Sequence, residues 1–273
     1  MPIRIEKTGP VWTIIHSRAE VRNAMNAQHA QALFRAFAAF DADDTARVAV
    51  FWGEGGAFCA GYDLKEAATQ ADPELISALE FPEGEGDPVP GHVPDHVPGP
   101  MGPSRMELSK PVIAAIAGPA VAGGMELAMW CDFRVMEEDA FMGVYCRRWG
   151  VPLIDGGTVR LPRLVGEGRA AELILTGRRV DAAECAAIGL AEYVVPHGAA
   201  RQKAEELAAA IARFPQACLR SDRASLRAQA GLSERAALEQ EWRFGRDVVT
   251  TEASAGAARF ASGKGRGGDF DDI

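Results

Sequence analysis

The sequence predicts an α/β core followed by a helical C-terminal region, and three observations predict it. Two short, uncharged apolar runs, Val48 to Trp52 and Val112 to Ala117, read as strands buried on both faces. Each is followed by a loop of small residues, and that loop leads into a helix. Beyond Gly156-Gly157 the apolar spacing is helical almost throughout.

Taken in order, residues 2–8 and 11–16 are rich in β-branched residues and flank Gly9-Pro10, which predicts a hairpin or two edge strands. Apolar residues at helical spacing from Asn26 to Phe40 end in the polar run DADD, a helix and its exit. After the strand 48–52 comes GEGGAFCAGYDLKE, a Gly-rich loop entering a helix. Residues 82–103 include seven Pro and five Gly, so they form a long irregular loop; such a loop inside a compact domain is a lid, a binding segment or a disordered insertion. The strand 112–117 passes through GPAVAGG to the helix MELAMWCD, and a third strand spans 133–136. Helices follow at 158–165, 168–176, 181–188, 199–213, 216–230 and 234–249, with a short strand at 193–195. The domain organisation expected is a core with the substrate site over 1–197 and a helical region over 198–273.

Composition narrows the function classes. The chain of 273 residues carries 29 Lys plus Arg against 38 Asp plus Glu, a net charge of −9, so a nucleic-acid backbone is repelled on average. The uncharged run 111–125 is too short and too interrupted by proline to span a bilayer. The N-terminal stretch carries charge within its apolar part and does not read as a signal peptide. Five cysteines at unrelated spacings fit free thiols in a reducing cytoplasm.

The chemistry is concentrated in the two small-residue loops. A strand that passes directly into a helix leaves backbone N–H groups free at the helix start, with the positive end of the helix dipole behind them. The donors available are Ala60 or Gly61 in AFCAGYDL and Gly123 or Gly124 in AVAGGMEL. Small side chains there let a substrate approach the backbone. Glu126 lies in the first turn of the second helix, where an acid also complements the dipole.

The runs FCAGYDLKE, PVIAAIAGPAVAGGMELAMWCDFRV and GGTVRLPRLVGEGRAAELILTGRRVDAAECAAIGLAEYVVP together resemble the enoyl-CoA hydratase/isomerase (crotonase) family, in matching order to about residue 262. The resemblance implies repeated ββα units forming a spiral core with a C-terminal helical layer, and a homotrimer or dimer of trimers built through that layer. It implies that two backbone N–H groups, by motif position those of Ala60 and Gly123, hold the oxygen of a thioester enolate. Glu126 matches one catalytic glutamate of the hydratases. The position of the second is Cys146, which cannot orient a water as a carboxylate does; a free cysteine is more often buried packing than a nucleophile, while Arg147 and Arg148 beside it would favour a thiolate. Asp155, in PLIDGGT, matches a functional aspartate of other family members, although an Asp there also suits a helix cap.

For the substrate's coenzyme A portion the pattern points to Arg22, Ala24 and Lys65, with Phe260 and Lys264 near the C-terminus. Coenzyme A is carried by the acyl-CoA substrate, so no other cofactor and no metal is implied. The expected default is hydration of a 2-enoyl-CoA. Double-bond isomerisation by Glu126 and Asp155, or other enolate chemistry such as hydrolysis or decarboxylation, is the alternative, and a non-catalytic acyl-CoA-binding member is a second. A Ser-His-Asp hydrolase would need a serine where Ala60 and Gly123 stand. His92 and His96 are flanked by prolines that forbid a shared helical face for zinc, and His16, His29 and His197 have no acidic constellation near them in sequence.

Overall fold

In the computed structural model of the chain, residues 3–69, 77, 79–81 and 98–265 are described. Two compact units emerge, one reaching to Ala209 and one from Ala210 onward.

The first unit is organised by two sheets. The larger has the order β1-β2-β3-β4-β6-β9, formed by β1 (Ile3–Thr8), β2 (Val11–His16), β3 (Val48–Gly53), β4 (Val112–Ile116), β6 (Phe133–Glu137) and β9 (Tyr193–Val195). The predicted hairpin is present as the antiparallel pair β1–β2, and every other pairing in this sheet is parallel. All five residues of β4 are buried, as its uncharged run requires.

The smaller sheet joins β5 (Pro119–Val121), β7 (Phe141–Gly143) and β8 (Val180–Asp181) in the order β5-β7-β8. Sequence reading missed all three strands. Two or three residues are too few to show an alternation, and Pro119 opens β5 where a missing N–H is tolerated. Each chain passage from β4 to β5 and from β6 to β7 therefore places one strand in each sheet, the repeated ββ pattern expected from the resemblance.

The helices of this unit are α1 (Ala27–Ala42), α2 (Leu64–Ala67), α3 (Gly123–Trp130), α4 (Gly157–Val165), α5 (Glu167–Thr176), α6 (Ala182–Ala187) and the start of α7 (Ala200–Arg213). Asn26 caps α1, its side chain accepting from the His29 N–H at 2.9 Å, and Leu33, Phe37 and Phe40 bury one face against Phe51 and Trp130. Helix α3 is buried along almost its full length, so it has no polar face, and Glu126 within it is enclosed as well.

The second unit contains α8 (Gln216–Ala228), α9 (Glu234–Val248), a π-helical turn at Val249–Ala253 and α10 (Ser254–Ala261). Ser233 caps α9, and the Glu252 carboxylate accepts the N–H groups of Ala217 (3.1 Å) and Cys218 (2.7 Å) at the start of α8. The π turn and α10 lie within the helical region expected over 198–273, beyond the last helix read at 234–249. Within the described residues no helix is long and apolar enough to cross a membrane.

Candidate active site

The site is built where the chain leaves the carboxyl ends of β3 and β4, the usual place for ligands in parallel sheets. The segments after these strands run side by side. Cys59 donates to the Pro119 carbonyl at 3.1 Å, and Val121 donates to Cys59 at 3.0 Å. A methyl group on Gly124 would collide with the Cys59 carbonyl, so the absence of a side chain is what allows this approach.

A third segment, Arg22 to Met25, fixes the first loop from its other side. Asn23 is fully buried, at φ +56°, a conformation Asn tolerates better than most residues. Its side chain donates to the carbonyls of Glu54 (2.9 Å) and Ala57 (2.6 Å) and accepts the Arg18 N–H at 2.8 Å. Met25 then donates to the Gly61 carbonyl at 2.8 Å and accepts from the Asp63 N–H at 2.7 Å.

This pairing occupies the donor expected in the first loop. The Ala60 N–H is already donated to the Arg22 carbonyl at 3.0 Å, and the Gly61 N–H faces the Cys59 sulfur at 3.4 Å. Because Gly61 and Asp63 both turn toward Met25, the Tyr62 N–H between them points the opposite way, as alternation along extended chain requires. In the second loop Gly123 takes the first position of α3, where the helix offers its N–H no acceptor. Ala122, just before it, has φ +54°, a strained value for a residue with a side chain, and the Ala122 N–H is tied to the Gly143 carbonyl at 2.9 Å.

Tyr62 and Gly123 both border a cavity of about 1100 Å³, together with Arg22, Phe34, Met101, Tyr145, Trp149, Ile154 and the polar residues Glu126, Cys146 and Asp155. Glu126 is 3% exposed. Its Oε1 accepts the N–H groups of Asp155 (2.9 Å) and Gly157 (2.8 Å). Burial and the neighbouring Asp155 charge outweigh those bonds and push its carboxyl up to about 7.

Asp155 is equally buried, and burial raises its proton affinity while Ser104, the Met101 amide, Arg105 and Arg160 oppose that rise. Its Oδ1 accepts the Met101 N–H at 2.9 Å and the Ser104 hydroxyl. The N-cap of α4 is Gly156, without a side-chain cap bond, so the capping reading of Asp155 is replaced by a link to residues 101–104.

Cys146 lies in a short 3₁₀ turn, Tyr145–Trp149, and faces the cavity, but burial and Glu126 raise its thiol. Of the two readings of this cysteine, burial sides with packing and against the thiolate. Arg147 donates to the Ile174 carbonyl, and Arg148 stacks over the Tyr145 ring, 3.8 Å from its centre, so desolvation prevails over their charge.

The expected coenzyme A contacts separate. Arg22 borders the cavity, whereas half-buried Ala24 and exposed Lys65 on α2 do not line it. Phe260, 62% exposed on α10, and Lys264 belong to the second unit. In the expected lid 82–103, residues 82–97, including His92 and His96, lie outside the described residues; Pro98 to Gly102 line the cavity. His197, which has no acidic constellation near it in sequence, is brought by folding to 2.9 Å from exposed Asp139 and 3.6 Å from buried Glu137, a cluster outside the cavity lining. Sequence reading missed Tyr62, Met101, Ser104 and Arg160. Only the alternation of residues in FCAGYDL hinted at Tyr62.

Comparison with known proteins agrees with this architecture. The family model described as enoyl-CoA hydratase/isomerase matches residues 6–81 and 105–264. The enoyl-CoA hydratase EchA19 of Mycobacterium tuberculosis is 34% identical over 265 residues, covering 94% of this chain and 92% of that protein. The enoyl-CoA hydratase/isomerase YngF of Bacillus subtilis is 37% identical over 198 residues, 71% of this chain and 69% of the relative. The crystal structure of enoyl-CoA hydratase EchA1 from Mycobacterium marinum superposes with a TM-score of 0.83 at 29% identity, covering 96% of both chains. The two-sheet α/β architecture is thus the crotonase fold, and the chain belongs to the enoyl-CoA hydratase/isomerase family.

Proposed function

We propose that this protein hydrates the double bond of a 2-enoyl-CoA thioester through a stabilised enolate. The observation that carries the reading is the Glu126 carboxyl, raised to about 7 in a largely apolar cavity that Tyr62 and Gly123 also line. At that proton affinity one group serves as both base and acid near neutral pH. Glu126 takes a proton from water as its oxygen bonds to the β carbon. The electron pair of the double bond moves to the thioester, whose oxygen receives the N–H groups of Tyr62 and Gly123. Glu126 then delivers the proton to the α carbon. Loss of one such oxyanion donor costs about 10²- to 10³-fold in rate.

Arg22, Ala24 and Lys65, with Phe260 and Lys264 contributed by a neighbouring copy, are assigned to the coenzyme A portion of the substrate, and the reaction needs no other cofactor. A homotrimer or dimer of trimers is supported by the second unit's exposed apolar side chains, among them Leu226 (71% exposed), Leu238 (57%) and Trp242 (64%). A second reading, migration of the double bond from the 3 to the 2 position, is favoured by Cys146 standing where a second carboxylate is expected. There Glu126 or Asp155 removes one carbon-bound proton and returns it two carbons away.

A panel of 2-enoyl-, 3-enoyl- and dienoyl-CoA esters separates these readings by product. Formation of 3-hydroxyacyl-CoA from a 2-enoyl ester supports hydration. Conversion of a 3-enoyl ester without incorporation of water replaces it with isomerisation. Binding of every ester with turnover of none leaves an acyl-CoA-binding protein.

A further inference from the structure

We propose that Ser104 and Arg160 are positioning residues that act through Asp155 to hold Met101 against Gly123, and that the Met101 thioether selects acyl chains carrying no substituent on the carbon next to the thioester. The inference rests on the acyl-CoA reading above and deepens it, by naming a determinant of substrate shape.

The geometry is a latch between two segments far apart in sequence. Asp155 Oδ1 accepts both the Met101 N–H, at 2.9 Å, and the Ser104 hydroxyl. Arg160 closes the arrangement from outside, donating through one nitrogen to the Asp155 carbonyl (2.8 Å) and through the other to the Ser104 carbonyl (2.7 Å). Between the anchors, Gly99 and Gly102 exchange two backbone hydrogen bonds of 2.9 and 2.8 Å, so Met101 sits in a closed turn. A side chain at Gly102, which has φ +79°, would collide with the Ala30 carbonyl, and one at Gly99 would strike Ser104 and Asp155. The turn is therefore fixed on three sides.

Its purpose is read from where the Met101 side chain goes. Met101 is 1% exposed and borders the cavity, and a methyl group placed on Gly123 would lie 2.8 Å from its sulfur and 2.9 Å from its Cγ. The thioether thus lies in contact with the residue whose N–H receives the thioester oxygen in the proposed reaction. The α carbon is bonded to the thioester carbon, so a branch on the α carbon is the part of an acyl chain nearest this sulfur. Methionine is an unbranched filler and tolerates movement unless its backbone is held, which gives the buried Asp155 anchor a reason to exist.

The test compares crotonyl-CoA with its 2-methyl counterpart, by turnover, and butanoyl-CoA with 2-methylbutanoyl-CoA, by calorimetric binding. The proteins are the full chain and its Met101→Ala, Met101→Leu and Ser104→Ala variants. Met101→Ala is expected to shift the branched-to-unbranched ratio toward the branched ester by about tenfold or more, the scale of one methyl group in a shaped pocket. Met101→Leu returns the ratio most of the way. Ser104→Ala shifts it in the same direction as Met101→Ala by a smaller factor, since Met101 stays but its anchor loosens. A ratio is unaffected by a uniform loss of folded protein.

An unchanged ratio in Met101→Ala, with unbranched ester still turned over, overturns the inference and leaves the proposed reaction standing. An unchanged ratio in Ser104→Ala alone overturns the positioning role. If no ester is turned over but the binding ratio shifts as stated, the inference holds and the proposed reaction fails. If no acyl-CoA binds, both fail.

Discussion

Glu126 accepts two backbone N–H bonds, an arrangement that ordinarily favours a carboxylate, yet burial beside Asp155 raises its carboxyl to about 7. Two consequences are measurable. Glu126→Gln is expected to lower turnover by about 10²- to 10⁴-fold while acyl-CoA binding persists, as steady-state rates and calorimetry on the same preparation would show. If ionised Glu126 is the base, wild-type kcat/KM falls about tenfold per unit as pH drops below 7. The same shift has a stability sign. Between 4.5 and about 7 the folded state binds the proton and the unfolded state does not, so Glu126 lowers stability as pH rises through that window, by on the order of 3 kcal/mol in full. Glu126→Gln is therefore expected to gain stability over the wild type at pH 8 and little at pH 4 in urea titrations. A variant equal to wild type at both values would show that Glu126 is not the raised group. Helix-end chemistry narrows the donor of the second loop to Gly123 or Gly124 and places Glu126 in the first turn; the choice of Gly123 and the catalytic role of Glu126 are what the resemblance implies. Tyr62 is not legible in sequence, because which N–H of an extended segment faces the cavity depends on Met25, 37 residues earlier.

At the scale of elements, the site depends on how closely the segments after β3 and β4 approach. Gly124→Ala forces a methyl group onto the Cys59 carbonyl, which is backbone and cannot swing away. The expected cost is about 1–3 kcal/mol, read as a lowered Tm, together with a loss of turnover larger than the loss of folded protein, because the two donor segments are pushed apart. Unchanged Tm and rate would mean that the segments separate freely. The long strands and amphipathic helices were recoverable from periodicity, but β5, β7 and β8 were not. Their two or three residues depend on pairing with distant segments, and their strand partners lie 22 to 40 residues away along the chain. Asp155 shows the same limit. An Asp before Gly156-Gly157 resembles a helix cap in sequence, and only the arrival of Met101 and Ser104 from another loop turns its carboxylate toward them.

For the whole molecule, the hydrophobic core includes a titratable group that limits acid stability. His16 is fully buried against Phe51 and His29, with ring centres 5.4 and 5.1 Å away, and burial, aided by the His29 charge, lowers it to about 3. Between 6.5 and 3 the unfolded chain binds a proton that the folded one refuses, so stability is fully present above 6.5 and declines as pH falls. His16→Leu is expected to show a shallower loss of Tm between pH 7 and 4; an equal slope would assign acid lability elsewhere. Light scattering is expected to give three or six chain masses, and a monomer would remove the proposed assembly. The sequence by itself determined the order of the larger sheet's strands and of the main helices, the two small-residue loops and the catalytic candidate Glu126, since these follow from local periodicity, helix-end chemistry and a resemblance spread along the chain. Tertiary structure alone decided that the Ala60 N–H is taken by the Arg22 carbonyl, that the Cys146 thiol is raised by burial and that Asp155 anchors Met101. Each of these depends on desolvation or on hydrogen-bond partners that only folding brings near.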